Sequence, residues 1–258
     1  MYRAVLITGN SERHCAFANE VSKYFELVAI ISEPKKNYYS DQRRQSIEVE
    51  KHFQRLLDCE KKHFENNVFD SNIPTFNESQ NNLNNPDLVC EIIKFKPDII
   101  LLYGTGILNE VWLNAFPNKV INLHLGLSPF YRGSATLFWP FYFNELHYLG
   151  TTIHIASIKV DAGDILMRVL PDWNREDNDY YEITNKLIKK SIKLYPKIVM
   201  QFLKGEINPE PQDLTVGKYC KRSDFDEPKL KHALNNINQL EDKHIDSLKA
   251  TGYEFISC

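Results

Sequence analysis

An amide and an imidazole lie two residues apart in the segment VINLHLGLSP, residues 120–129, as Asn122 and His124. In a β-strand this spacing places both side chains on one face of the sheet, with Cα atoms roughly 6.6 Å apart. An imidazole can take a proton from an attacking amine, and an amide N–H can donate to an oxyanion. The pair therefore suits acyl transfer to an amine, although a histidine in this setting is more often structural.

A carboxylate that could complete the pair is Asp161, in the segment VDAGDI. It occupies a short Asp-Ala-Gly turn between two predicted strands, where a side chain can point into a cleft at the end of a sheet. There it could orient or charge the imidazole. The chain has no serine or cysteine in an elbow-like motif, so direct transfer is favoured over a covalent acyl-enzyme.

The elements that must position these residues alternate along the first 170 residues. Helices are predicted at 11–25, from Pro86 onward, and at 178–204. Short β-branched apolar runs predict strands at 2–8, 27–32, 98–104, 120–126, 151–157 and 164–170. This alternation predicts a Rossmann-like α/β fold with a mostly parallel sheet, whose ligands bind outside the carboxyl ends of the strands.

Composition excludes several classes of protein. A chain of 258 residues with 43% hydrophobic residues can fill a sizeable core, and its net charge of −3 offers no general excess of positive charge for a nucleic acid. The apolar runs are too short for a bilayer span, and the first residues lack a signal-peptide pattern, so we expect a cytoplasmic protein without a membrane partner. The five cysteines are scattered, which predicts free thiols.

The densely charged segment 41–66 predicts one long helix. His52 and His63 share a face of it, yet they would lie ~16 Å apart along its axis, so they cannot share a metal ion. The favoured interpretation is a solvated helix with an apolar stripe. The stripe residues are Ile47, Phe53, Leu56, Leu57 and Phe64.

The motifs together resemble the core of the 10-formyltetrahydrofolate-dependent formyltransferases, whose pattern is N-x-H-x-S-L-L-P, R/K-G, G-x-T-x-H and V-D-x-G-x-I. The matching residues are Asn122, His124, Pro129, Arg132, Gly133, Gly150, Thr152, His154, Val160, Asp161, Gly163 and Ile165. The resemblance implies that Asn122, His124 and Asp161 are catalytic. It also implies a formyltransferase domain at 1–205, followed by a small C-terminal appendage at 206–258.

The same resemblance implies 10-formyltetrahydrofolate as co-substrate and no metal. Its pteridine would be held by six residues, although ordinary sheet core is an equally compatible role for Leu102 and Ile107. The six are Leu102, Tyr103, Gly104, Ile107, Val160 and Gly163. One departure is that the serine of the family pattern is Gly126 here, so any hydrogen bond of that serine must be absent or come from Ser128.

For the acceptor, the residues after Gly205 do not resemble the OB-type domain of methionyl-tRNA formyltransferases, so tRNA is not expected. The chain looks more like the sugar N-formyltransferases, which implies a nucleotide-linked amino-deoxy sugar, with a UDP-linked 4-amino sugar as one candidate. Candidate contacts to this substrate are Ser11, Arg13, His14, Tyr131 and Arg132. Further candidates, with a solvated tail as the alternative, are Tyr219, Lys221 and Arg222.

Three alternatives stay open from the sequence. The acceptor could be another small amine such as glycinamide ribonucleotide, or the protein could bind folate without turnover. Ser11 could serve only as the cap of the first helix. A homodimer is compatible with the resemblance, but no self-complementary patch can be identified in one chain.

Overall fold

The computed structural model describes residues 1–34, 46–174, 179–240 and 244–248. Seven strands form one sheet in the order β3-β2-β1-β4-β5-β7-β8. Strands β3, β2, β1, β4 and β5 run parallel, whereas β7 and β8 are antiparallel to their neighbours. The seven strands are β1 Arg3–Thr8, β2 Glu26–Ser32, β3 Thr75–Asn77, β4 Ile99–Tyr103, β5 Val120–His124, β7 Thr151–Ile155 and β8 Ile165–Val169.

Helices cover both faces of the sheet. They are α1 Glu12–Val21, α2 Ile47–Phe64, α3 Pro86–Lys94, α4 Glu110–Ala115, α5 Trp139–Tyr142, α6 Tyr180–Leu203 and α7 Glu227–Asn238. Strand side chains alternate between two cores: Leu101 and Tyr103 face α1, α2 and α6, whereas Ile100 and Leu102 face α3 and α4. Because both faces are covered, the parallel strands read as continuous apolar runs, which is why the sequence revealed them.

The α/β fold with a mostly parallel sheet is confirmed. Each predicted strand is present within two residues of its expected ends, and the predicted helices appear as α1, α2, α3 and α6. Pro86 opens α3 at its first turn, and the side chain of Asn85 accepts from the backbone N–H of Asp87. The part of the predicted long helix at 41–45 lies outside the described residues. None of the described helices is long and apolar enough to cross a membrane.

A second, two-stranded sheet was not predicted. It pairs β6, Tyr131–Gly133, in parallel with β9, Lys218–Cys220. Strands of three residues carry too few positions for a period to be recognised. The pairing brings the segment after residue 205 onto the core, and α7 adds a contact there because Asn236 Nδ2 donates to the Phe141 carbonyl at 2.8 Å. The division of the chain at residues 205/206 stays a prediction.

The prediction of an apolar stripe on α2 is partly wrong. Phe53 and Phe64 are buried as expected, but Ile47 is 70% exposed and Leu57 is 39% exposed. At 100° per residue Ile47 lies opposite the middle of the buried face, and Leu57 lies at its margin. The positions that turn inward instead are Val49, His52 and Cys59.

His52 gives the fold an expected sensitivity to acid. Its ring is 4% exposed and its Nδ1 lies 2.9 Å from the Tyr181 hydroxyl oxygen. Burial, with a smaller effect from Arg55, lowers the pKa of His52 to about 4. The unfolded chain binds a proton on this residue below about pH 6.5, whereas the folded chain does so only near pH 4. Folding stability therefore falls as the pH drops through this interval.

We expect wild-type protein to lose about 2 kcal/mol of unfolding free energy from this residue between pH 7 and pH 5. In His52→Gln that part of the loss should disappear, since glutamine does not titrate and can still bond the Tyr181 hydroxyl. Urea unfolding at both pH values measures the difference. The exposed His232 supplies the control His232→Gln. Equal pH dependence in wild type and His52→Gln would contradict the expectation.

Candidate active site

The predicted pair lies at the carboxyl end of the central strand β5. Asn122 and His124 share the face opposite to Ile121 and Leu123, which pack into the core beneath α6. Strand β7 runs antiparallel beside them, so His154 lies directly across from Asn122, and Thr152 lies across from His124. The polar face of the strand is therefore continued by the neighbouring strand.

The carboxylate of Asp161 lies over this face. Its Oδ1 is 3.3 Å from His124 Nδ1 and 3.5 Å from Asn122 Nδ2, and its Oδ2 accepts from the backbone N–H of Gly133 at 3.0 Å. Asp161 has a φ of +51°, in the left-handed region that aspartate adopts more readily than most residues. Gln212 holds this turn in place, since its Nε2 donates to the carbonyl oxygens of Asp161 and Gly163.

Asp161 is ionised at neutral pH. Burial alone would raise its pKa, but His124, His154 and the N–H of Gly133 together favour the charged form. The net result is a pKa of about 2. The site thus holds a permanent negative charge next to an imidazole.

His124 is placed to accept a proton at one particular atom. It is 6% exposed, and its Nε2 lies 3.0 Å from the carbonyl oxygen of Tyr131, to which it donates. Nδ1 then faces the carboxylate of Asp161. Burial lowers the pKa of His124, and the charge of Asp161 partly opposes this effect. When the ring is neutral, Nδ1 carries its lone pair and is the atom that can accept a proton.

His154 is a site residue that sequence reasoning matched to a motif but left out of the catalytic set. Its Nδ1 donates to the Ile155 carbonyl at 2.9 Å, which leaves Nε2 to accept from Asn122 Nδ2 at 3.1 Å. One N–H of the amide is thereby fixed, and the other donates to Asp161 Oδ1 over a long 3.5 Å, a contact that a ligand oxygen must displace. The sequence signal for His154 was the spacing Thr152-x-His154, which repeats the spacing Asn122-x-His124. Only the register of the two strands shows that the residues face each other.

Comparison with known proteins agrees with this geometry. Residues 1–199 match the sequence model of the formyl transferase family. This chain is a member of that family. Methionyl-tRNA formyltransferase of Hydrogenobaculum sp. is 32% identical over 144 residues, which cover 54% of this chain and 47% of that protein. The chain spans about half the length of the curated relatives it matches.

Two solved structures show the same fold at low sequence identity. Phosphoribosylglycinamide formyltransferase from Anaplasma phagocytophilum has a TM-score of 0.58 at 20% identity, with 85% of this chain and 98% of that chain covered. WlaRD, a sugar 3N-formyltransferase solved in the presence of dTDP and 5-N-formyl-tetrahydrofolate, has a TM-score of 0.57 at 16% identity. That match covers 93% of this chain and 80% of the other.

Gly126 takes the place of the serine in the formyltransferase pattern because the structure leaves no room for a side chain. A Cβ there would lie 2.4 Å from His124 Nε2 and 2.6 Å from the Tyr131 carbonyl oxygen. Ser128, the expected substitute, is fully buried, and its Oγ donates to the Asp161 carbonyl at 3.5 Å. Its hydrogen bond therefore supports the Asp161 turn.

We expect Gly126→Ala to reduce both the stability of the protein and its turnover in formyl transfer. The added methyl group must displace the His124 ring or the strand that carries Tyr131, which costs about 1–3 kcal/mol of unfolding free energy. The same shift moves Nδ1 away from Asp161, and misplacement of about 1 Å lowers a rate by up to about 100-fold. Urea unfolding and a formyl-transfer assay measure the two effects. Unchanged values in both would show that the pocket is looser than described.

The residues predicted to hold the pteridine divide into two groups. Leu102 lies on the sheet face that carries Asn122, and Ile107 is 60% exposed beside the loop that follows β4. The ring of Tyr103 is fully buried and packs on Phe17 on the opposite face, so only the backbone of Tyr103 is placed to contact a folate on this side.

Gly104 and Gly163 have backbone roles in the structure. Gly104 has a φ of +63°, and a Cβ on Gly163 would lie 1.8 Å from the Ile155 carbonyl oxygen. Val160 is half-buried beside Asp161. Whether these residues touch a folate stays a prediction.

Glu33 is a further residue that the sequence did not single out. It is 4% exposed at the end of β2, and its Oε2 accepts from the Gly106 N–H at 2.6 Å and from Thr105 Oγ1 at 3.1 Å. It therefore fixes the loop that begins at Gly104. No pattern pointed to it, because the contact joins positions more than 70 residues apart.

Most predicted acceptor contacts are engaged within the protein. Ser11 Oγ and the Arg13 guanidinium both bind the carboxylate of Glu60 on α2, at 2.5 Å and 3.3 Å, and His14 is 2% exposed. Tyr131 is also a correction, because its side chain is fully buried and its hydroxyl donates to Glu145. Its contribution to the site is the backbone carbonyl that binds His124. Arg132 differs from these residues in its place beside Gly133, whose N–H binds Asp161, and among the described residues its buried Nε has no hydrogen-bond partner.

Proposed function

We propose that this chain transfers the formyl group of 10-formyltetrahydrofolate to the amine of a nucleotide-linked amino-deoxy sugar. The observation that carries the proposal is the convergence of Asn122, His124 and Asp161 at the carboxyl end of β5. A proton acceptor, an oxyanion donor and a fixed carboxylate are the groups that acyl transfer to an amine needs. Membership of the formyl transferase family supports the formyl donor.

The steps follow from the positions of the atoms. The lone pair of the amine attacks the formyl carbon, and the carbonyl oxygen becomes an oxyanion bound by the second N–H of Asn122 Nδ2. The amine proton passes to His124 Nδ1, and the resulting imidazolium is stabilised by Asp161 at 3.3 Å. The bond from the formyl carbon to the folate nitrogen then breaks, and that nitrogen receives a proton returned by His124.

The loop after β4 and the Asp161 turn form the two walls between which the folate is proposed to bind. Glu33 fixes the first wall and Gln212 fixes the second, so both are ordered before ligand arrives. Walls that are already in position reduce the entropic cost of binding. The exposed side chain of Ile107 supplies apolar surface at the edge of this cleft.

The position of Arg132 supports the proposal that the acceptor is phosphorylated. It lies between Tyr131, whose carbonyl binds His124, and Gly133, whose N–H binds Asp161. Among the described residues its buried Nε has no hydrogen-bond partner. A guanidinium so placed suits the diphosphate of a sugar nucleotide. Tyr219, opposite Arg132 in the second sheet and 52% exposed, offers a ring on which a base could stack.

A formylation assay tests the proposal against its alternatives. Purified protein and 10-formyltetrahydrofolate are incubated with UDP-, dTDP- and GDP-linked amino-dideoxy sugars, glycinamide ribonucleotide and charged initiator tRNA, with His124→Asn as the inactive control. We expect product with one sugar nucleotide only, and none from the control. Product with tRNA or glycinamide ribonucleotide alone would overturn the acceptor but not formyl transfer. Folate binding without turnover on any acceptor would favour a non-catalytic protein.

Arg132→Gln is expected to raise KM for the sugar nucleotide by about 10-fold to 100-fold, since a charge-assisted hydrogen bond contributes about 1.5–3 kcal/mol. KM for 10-formyltetrahydrofolate should change little. Steady-state kinetics with each substrate varied in turn separates the two. Arg3→Gln, at the opposite end of the sheet, is the control. A KM for the sugar nucleotide within twofold of wild type would remove Arg132 from the acceptor site.

A further inference from the structure

Helices α2 and α6 bring three different metal-ligating side chains together, far from β5. Cys59 and His63 lie four residues apart on α2, so they occupy the same face one turn apart. Glu182 faces them from the first turn of α6. We call Cys59, His63 and Glu182 the thiol cluster. Their Sγ, ring nitrogen and carboxylate oxygen atoms all lie within 4.8 Å of one another.

We propose that the thiol cluster binds Zn²⁺ through Cys59 Sγ, His63 Nε2 and a carboxylate oxygen of Glu182, and so links α2 to α6. Zinc bonds of about 2.0–2.3 Å in a tetrahedron separate ligand atoms by ~3.3–3.8 Å. Side-chain movements of about 1 Å therefore suffice to bring the three ligand atoms to these separations. A thiolate, an imidazole and a carboxylate form a ligand set that suits zinc better than magnesium or calcium.

The surroundings leave room for a fourth ligand. A cavity of about 230 Å³ adjoins the cluster, and Cys59 and Glu182 both line it. A water molecule or a small anion can occupy this space, as in zinc sites with three protein ligands. His63 is 12% exposed and Glu182 is 29% exposed, so the ion can enter without unfolding of either helix.

The existing contacts show what the metal must replace. Glu182 now accepts from Lys62 Nζ at 2.5 Å and lies 2.8 Å from His63 Nε2. Lys62 is 69% exposed and can turn into solvent, and the ion would lie between His63 and Glu182. Arg55 is paired with Asp179 at 2.9 Å, so its charge is partly offset.

Binding must also displace the proton of the thiol. Burial, together with Glu182 and Asp179, raises the pKa of Cys59 to about 11, so the free thiol is protonated at neutral pH. The Zn²⁺–sulfur bond forms as the S–H bond breaks, and one proton is released to solvent for each ion bound. His52, the other histidine of α2, binds the Tyr181 hydroxyl and takes no part.

A zinc competition titration against a chromophoric chelator tests the site. We expect a dissociation constant below about 1 μM, a range that three mixed protein ligands readily reach. Cys59→Ser should weaken binding at least 10-fold, and so should Glu182→Gln, which alters a partly exposed residue and leaves the helix core intact. Cys90→Ser removes an exposed thiol on α3 and should bind zinc as wild type does.

Cobalt substitution gives a readout that does not depend on activity. Co²⁺ bound at the cluster should show a thiolate-to-metal charge-transfer band that is present in Cys90→Ser and absent in Cys59→Ser. Absence of the band in wild type, or zinc binding that Cys59→Ser and Glu182→Gln leave unchanged, would overturn the proposal. The cluster would then be only an ion-pair network that joins the two helices.

Discussion

Asn122→Ala is expected to lower the kcat of formyl transfer by at least about 100-fold, because removal of one oxyanion donor typically costs about 10²–10³ in rate. The neighbouring His154 cannot replace the amide as a donor, since it presents an acceptor nitrogen towards it. The fold should persist, because Asn122 lies on the polar face of β5 and its apolar neighbours stay in place. Rapid-quench measurement of a single turnover reports the chemical step directly.

Asn235→Ala, an exposed change on α7, controls for the loss of an amide. It should retain wild-type turnover. If Asn122→Ala kept more than a tenth of wild-type kcat, the oxyanion would have to be bound by other groups, and the proposed step at Asn122 Nδ2 would be wrong. A loss seen in KM alone would instead assign Asn122 to substrate binding.

Asp161→Asn is expected to lower kcat by about 1,000-fold, within the range that general acid–base catalysis contributes. Asparagine matches aspartate in shape and tolerates the left-handed backbone found at φ +51°, so the change tests the charge and not the turn. Without the carboxylate charge, nothing stabilises the imidazolium formed at His124 Nδ1, which lies 3.3 Å from Asp161 in the wild type.

The pH profile distinguishes this role from a structural one. The charge of Asp161 raises the pKa of His124 against the effect of burial, so its removal should lower that pKa further. The acidic limb of the kcat profile should therefore move to lower pH in Asp161→Asn. Asp164→Asn, an exposed neighbour in the same turn, should leave rate and profile unchanged. A variant that loses activity with its acidic limb unmoved would show that Asp161 acts only through the backbone of its turn.

The fold was predictable because the parallel strands are buried on both faces. Runs such as DIILLYG and LVAIIS are short, rich in β-branched residues and typical of buried strands, and both are interior strands of the sheet. The polar pair of β5 was predictable for a related reason: Asn122 and His124 interrupt such a run at a spacing of two. Asp161 was found from turn chemistry, since an Asp-Ala-Gly sequence between strands requires a tight reversal.

The sequence did not show the register between strands, nor which side chains pack into the protein interior. His154 belongs to the site only because β7 pairs with β5 in one particular register. Tyr103 was assigned to the folate from the family resemblance, and Tyr131 was a candidate contact of the acceptor, but packing directs both rings into the protein interior. Ser11 and Arg13 were assigned from their place after the first strand, and Glu60, 49 residues beyond Ser11, binds both of them.

Gln212, which holds the Asp161 turn, belongs to a segment that the chain reaches only after the whole seven-stranded sheet. During synthesis the sheet can therefore assemble before the carboxylate has its final support. Assembly of the sheet and completion of the site are then separate events in time on the ribosome, since the N-terminal part of a chain is synthesised first. A nascent chain should form its sheet first and its fully supported Asp161 turn second.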